Sequence, residues 1–189
     1  MEFGAVMEPS PGYTAPLAAE IEALGFDILL CPDTQNLSPD PIGQLSLASQ
    51  TTTTLTLGTG VTNPITRDAA VMACALGMLD IESGGRAICG IGRGDSSAAH
   101  IGVRSSTTTE LRRYIESFRA YVNGEEVERN GKRSKLRWLE GQAAVDYSGV
   151  VPGRHLASLQ EGDPRFEAML DTRIKAIVAF APYAPAGYW

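Results

Sequence analysis

The residues best suited to chemistry lie together in "AICGIGRGDSSAAH", residues 87–100, where Gly90, Gly92 and Gly94 alternate with Ile91 and Arg93 and are followed by Asp95, Ser96 and Ser97. An apolar run that breaks into glycines reads as the carboxyl end of a buried strand, the place where open sheets and barrels set their ligands. Glycine lets a backbone approach a ligand closely, successive amides can form an anion nest, and Arg93 adds a cation. A phosphate is physically reasonable there. The two familiar glycine fingerprints do not fit: a dinucleotide-binding turn wants its third glycine where Asp95 stands, and a P-loop wants Gly-Lys-Ser/Thr where no lysine occurs. On spacing alone, an anion-binding loop and a tight turn whose glycines serve only geometry both stay open.

Other reactive residue types form no such group. His100 and His155 are the only histidines, neither pairs with a cysteine at ligand spacing, and no metal set is expected. Cys31, Cys74 and Cys89 are odd in number, far apart and in or beside apolar stretches, which suits reduced core thiols better than a disulfide framework. Near the C-terminus, "DYSGV" puts Ser148 between Asp146 and Val150, where a nucleophile elbow needs glycines. His155 and Asp171 follow it, but a serine, a histidine and an aspartate in one tail make no triad without geometry.

These residues need elements to position them. "EFGAVM", residues 2–7, is a short strand candidate. It is followed by a helix in "TAPLAAEIEALG", with Leu17, Ile21 and Leu24 at helical spacing, Thr14 as cap and Gly25 as terminator. "FDILLC" is a continuous apolar run, as for a strand buried on both faces. "DPIGQLSLASQ" opens a helix with Asp40 as cap and Pro41 in the first turn. "TLTLGTGV" is the third strand, "TRDAAVMACALGMLDIES" the third helix with Met72, Met78 and Leu79 in the core, and "RAICGIG" the fourth strand. Thr107 and Glu110 then have the spacing of a capping box ahead of the stripe Leu111, Ile115, Phe118 and Val122. Strands alternating with helices imply a parallel sheet. Asn130-Gly131, between polar strand-compatible runs, predicts a hairpin. "RIKAIVAFAP" is one more strand candidate in a turn-rich tail.

The 189 residues are 43% hydrophobic and 20% charged, enough to bury a core. A net charge of -6, with no broad basic surface, argues against nucleic acid and anionic membranes as partners. The start "MEFGAVMEPSPGYT" lacks a basic segment followed by a long apolar one, and no apolar run approaches the ~20 residues that span a bilayer. A cytoplasmic protein is expected.

Taken in order, "AAEIEALGFDILLCPDT", "DPIGQLSLASQTT", "LTLGTGVTNPITRDAA", "LDIESGGRAICGIGRGDSSAAHIG" and "RAYVNGEEV" resemble the luciferase-like monooxygenase superfamily, in its branch that uses the deazaflavin coenzyme F-420. The resemblance covers about residues 1–138. It implies an α/β fold, a partial (β/α)₈ TIM-type barrel of about four βα units plus a hairpin and an irregular C-terminal tail. The cofactor, F-420 with FMN as second choice, would lie at the carboxyl ends of the strands. The resemblance further implies a cis peptide at Gly60–Val61, in a bulge of the third strand, with Thr62 and Asn63 beside the cofactor ring. Gly92, Arg93, Gly94, Asp95 and Ser96 would contact the ring and its phosphate-bearing tail, and Asp95 would manage a proton. Some members carry an Asp-His pair after the second strand. In "PDTQN", Asp33 matches and Thr34 takes the histidine's place, which argues against histidine-dependent oxidation and leaves Asp33 and Thr34 as site candidates.

A full barrel of this type needs eight strands and ~250 residues. The division expected here is a half-barrel domain at residues 1–140 and an atypical segment at 141–189. The tail "LDTRIKAIVAFAP" has a short resemblance to α/β-hydrolases of the dienelactone hydrolase type. Three readings result: an oxidoreductase passing hydride between a deazaflavin or flavin and a small organic substrate, an ester hydrolase resting on Ser148, and a noncatalytic binding fragment. Homo-oligomerisation would cover the apolar edges that a half-barrel exposes.

Overall fold

A computed structural model describes residues 2–138. Strand β1 (Gly4–Val6) leads to helix α1 (Thr14–Ala23), β2 (Ile28–Cys31) to α2 (Pro41–Ser49), and β3 (Thr56–Thr62) to α3 (Ala69–Glu82). Strand β4 (Ala87–Ile91) leads to the short α4 (Asp95–His100) and then α5 (Thr108–Val122), and the hairpin β5 (Val127–Arg129) and β6 (Lys132–Ser134) follows. The first four strands form one parallel sheet in the order β1-β2-β3-β4. Each crossover therefore sets the next strand beside the last without reversal, which is the order of a barrel and not of a doubly wound sheet. The α/β expectation holds.

Local signals explain the helix ends. The Asp40 carboxylate accepts from the Gly43 amide at 2.9 Å ahead of Pro41, and Asp68 caps α3 by accepting from Ala70 at 2.9 Å. The capping box of α5 is reciprocal: Thr107 Oγ1 accepts from the Glu110 amide at 3.2 Å, and Glu110 Oε2 accepts from the Thr107 amide at 2.7 Å. Asn130 and Gly131 both have positive φ, as a primed two-residue turn requires. At α1 the expectation fails. Thr14 is the first helical residue and not the cap, because its hydroxyl closes a turn with the Ser10 amide at 2.7 Å and the Ser10 carbonyl at 3.0 Å.

Two apolar clusters lie between helices and sheet. One gathers Ala18, Ile21, Leu29, Cys31, Leu45, Ala48, Leu55, Leu57 and Leu79; the other joins α3, α5 and β4 through Met72, Ala73, Ile91, Tyr114, Phe118 and Tyr121. Burial of each large aliphatic side chain stabilises the fold by ~2 kcal/mol. Leu17 and Leu24 stay exposed, since α1 buries Thr14, Ala18 and Ile21 instead. Met78 and Cys74 also face outward, because α3 is apolar all round and only one side of it meets the sheet. In β2, Leu29 and Cys31 are buried on the helix side while Ile28 and Leu30 alternate onto the other face, which is only half covered among the described residues. No helix there is long and apolar enough to cross a membrane. Ser148, His155, Asp171, the hydrolase-like tail and the segment 141–189 lie outside the described residues.

Candidate functional site

The carboxyl ends of β2, β3 and β4 bring most of the predicted residues together. Strand β3 bulges here: its register with β4 runs Thr59 to Cys89 and then Thr62 to Ile91, leaving Gly60 and Val61 as the irregular pair. The Gly60–Val61 peptide is cis. Two glycines serve close approach to protein rather than to open space. A Cβ at Gly60 would lie 2.8 Å from Leu30 Cβ, and one at Gly92 would lie 2.7 Å from Val61 Cγ2. Gly94, at φ 82°, could bear no side chain either, because its Cβ would meet Asn63 Cγ at 2.7 Å. The glycine loop thus turns a corner and leans on the bulge.

Asp33 is fully buried and is the hub of the site. Its carboxylate accepts from Thr62 Oγ1 at 2.6 Å, Gln35 Nε2 at 2.7 Å, and Arg67 Nε at 2.7 Å and Nη2 at 3.2 Å. Its carbonyl accepts from Ser97 Oγ of α4 at 2.9 Å. Arg67 also pairs with Asp40. Burial works against the guanidinium's charge, but the hydrogen bonds and charges of Asp33 and Asp40 outweigh it and hold the arginine above its ordinary pKa. Burial would likewise raise Asp40, yet the Gly43 amide and Arg67 bring it below the usual carboxylate range. Burial pushes the thiols of Cys31 and Cys89 up to about 12, so neither is a thiolate at neutral pH.

Asn63 is fully buried, and its Oδ1 accepts from the amides of Ile65 and Thr66, both at 3.0 Å. Those two donors fix the amide's orientation, and its Nδ2 has no hydrogen-bond partner among the described residues. Thr34 turns the chain after Asp33, its carbonyl accepting from the amides of Leu37 and Ser38. Arg93 is directed at the next loop, with Nε donating to the Ser106 carbonyl at 2.7 Å and Nη2 standing 3.9 Å from Asp95. Asp95 opens α4 with its side chain 57% exposed, and Ser96 is exposed beside it. The sites of Thr62 and Asp33 are therefore internal, whereas Gly60, Val61, Gly92, Arg93, Asp95 and Ser96 reach the surface.

The sequence did not single out Arg67 or Gln35, and it marked Ser97 only as part of the glycine loop. One signal was available for Arg67: it and Asp68 are the only charged residues between Asp40 and Asp80, in a stretch otherwise built to be buried.

A model of the luciferase-like monooxygenase family matches residues 3–155. The chain belongs to that family. Among curated members, a 5,10-methylenetetrahydromethanopterin reductase of Methanolobus tindarius is 36% identical over 141 residues, which cover 72% of this chain and 43% of that one. The Methanopyrus kandleri protein of the same name is 38% identical over 100 residues, covering 51% and 28%. Among solved structures, the coenzyme F-420 dependent tetrahydromethanopterin reductase of Methanopyrus kandleri superposes with a TM-score of 0.62 at 29% identity, covering 70% of this chain and 44% of that one. The oxygenating constituent of 3,6-diketocamphane monooxygenase from Pseudomonas putida, in complex with FMN, shares the fold at a TM-score of 0.57 and 19% identity. The chain spans less than half the length of the curated relatives it matches.

Proposed function

We propose that this luciferase-like chain binds a deazaflavin of the F-420 type, with FMN as the second choice, at the carboxyl ends of β2–β4, and serves hydride transfer to or from a small organic substrate. The observation that carries the reading is the bulge of β3 at Gly60–Val61, half-exposed and packed from behind by Gly92. Gly60 and Val61 offer an uncharged surface to a flat ring, and the unpartnered Asn63 Nδ2 is a donor stranded beside it. Arg93, Asp95 and Ser96 line the loop where a charged tail would run. The residues present fit such a group. When bound, it supplies the hydride-accepting or hydride-donating ring carbon.

The chain's own part is to hold that ring and to move a proton. Asp95 is exposed at the start of α4 and is the carboxylate able to reach a substrate oxygen or nitrogen; it would give or take the proton that accompanies hydride transfer. Thr34 follows Asp33 at the rim and would border the substrate. The 36% identity with a methylenetetrahydromethanopterin reductase supports a reductase over an oxygenase. The unpaired thiols of Cys31, Cys74 and Cys89 suit the cytoplasm, and the free outer edges of β1 and β4 among the described residues suit self-association.

Fluorescence titration of the purified chain with F-420 and with FMN tests the reading. Saturable binding that Gly94→Val abolishes is the expected outcome; binding of neither would overturn it. With substrate turnover in hand, Asp95→Asn should lower kcat at least about 100-fold while leaving cofactor Kd within about threefold.

A further inference from the structure

We propose that Arg67 is a positioning residue of the site: through Asp33 it fixes Thr62, and with it the bulged end of β3 against which the cofactor would lie. The proposal rests on the cofactor reading above for its functional consequence, but the tether itself is a property of the chain alone.

The geometry is a relay of hydrogen bonds. Arg67 donates to both oxygens of Asp33, at 2.7 and 3.2 Å; Thr62 Oγ1 donates to Asp33 at 2.6 Å; and the Thr62 carbonyl accepts from the Gly92 amide at 2.8 Å. One guanidinium thus reaches, in three steps, from the loop before α3 to the glycine loop after β4. The same guanidinium pairs with Asp40, the cap of α2. Neither Arg67 nor Asp33 needs to touch the cofactor for either to govern where the bulge sits.

Charge explains why Arg67 is required. Asp33 is fully buried, and among the described residues Arg67 is the one cation in an ion pair with it. The other titratable groups near Asp33 and Arg67 are Asp40 on α2, Asp68 at the start of α3, the Cys89 thiol on β4 and the Tyr114 phenol on α5. None of these is positive. Removing one partner of a buried ion pair leaves the other charge uncompensated and is strongly destabilising. Without the guanidinium, the Asp33 carboxylate is drawn towards water and loses its hold on Thr62 and Gln35. The end of β3 is then released from β2.

Site-resolved amide exchange on the full chain, paired with FMN titration by fluorescence, tests this. In Arg67→Met the Gly92 amide should lose at least tenfold protection, while the Leu57 amide, which donates to Arg86 at the other end of β3, keeps its own. FMN affinity should fall at least tenfold. Arg67→Lys should restore most of the protection and of the FMN affinity. If Arg67→Met does not fold, Thr62→Val cuts the relay at its next step and should cost the Gly92 amide the same protection. Unchanged Gly92 protection in a folded Arg67→Met or Thr62→Val protein overturns the proposal, as does a folded Arg67→Lys protein that protects Gly92 no better than Arg67→Met. A wild-type chain that binds neither FMN nor F-420 overturns the cofactor reading alone, and the exchange data still decide the tether.

Discussion

Gly92 and Val61 meet across the β3–β4 pair with no room for a methyl group between them: a Cβ at Gly92 would sit 2.7 Å from Val61 Cγ2. Valine is stiff about its first side-chain torsion, so it cannot turn aside at low cost. Gly92→Ala should therefore push Val61 and the bulge out of place. Cofactor affinity is expected to fall about tenfold, ~1.4 kcal/mol, with a melting temperature only a few degrees lower. Adding Val61→Ala should recover the affinity; if it does not, steric displacement of the bulge is the wrong account.

Gly58 is a stricter case at the other end of the same strand. A Cβ there would lie 2.2 Å from the Ile88 carbonyl oxygen, and a backbone atom cannot move without breaking the β3–β4 ladder. Gly58→Ala is expected to destabilise the fold by about 3 kcal/mol, at the upper end of the usual cost of overpacking. Urea unfolding followed by circular dichroism measures it, and a cost under ~1 kcal/mol would show that the two strands can separate freely.

Arg86 closes the opposite end of the sheet. Its guanidinium donates to the carbonyls of Ser83, Leu55, Thr52 and Ser49 and to Thr52 Oγ1, at distances from 2.6 to 3.2 Å. Arg86→Met keeps the bulk and strands those acceptors, which should cost ~2–4 kcal/mol given ~1–3 kcal/mol for a buried polar group left unsatisfied. Lysine, with one point of charge, should recover less than half of the loss. Cofactor Kd at temperatures where the variant is folded should not change, since Arg86 lies far from the bulge in the strand register.

Glu22 gives the fold an acid-sensitive contact. Its carboxylate accepts from the amides of Thr53, Thr54 and Leu55 and from the Thr54 hydroxyl. Burial opposes ionisation, but these donors prevail and hold the pKa at about 2, below the ordinary 4.5. Because the folded-state value is depressed, the stabilisation is complete above the unfolded pKa and disappears as pH falls from about 5 towards 2. Glu22→Gln should be less stable than the parent at pH 7 and should show a smaller loss of stability over that range. Denaturant unfolding at pH 7, 4 and 3 supplies the comparison, and parallel pH curves for the two proteins would sink the assignment.

Much of the strand-helix alternation was legible because it depends on residues close together in the chain. Asp40 with Pro41, Thr107 with Glu110, and Asn130 with Gly131 each act over one to three positions, and the structure uses all three as the chemistry of caps and turns requires. Thr14 was misread because a local turn four residues long claims its hydroxyl for Ser10, and Leu17 because the packing of α1 buries Ala18 and Ile21 instead.

By itself, the sequence determined four strand-helix units in parallel order, the glycine loop at the end of the fourth strand and, through its family resemblance, the cis peptide at Gly60–Val61. Only the tertiary structure decided that Asp33 faces inward to Thr62 and Arg67, and that the glycines make room for Val61 and Asn63. Those partners stand about 30 residues apart, and strand register together with the packing of the loops after β2, β3 and β4 brings them together. A side chain's nearest neighbour in the chain can be read from a pattern, whereas its partner across a sheet depends on how every intervening element packs.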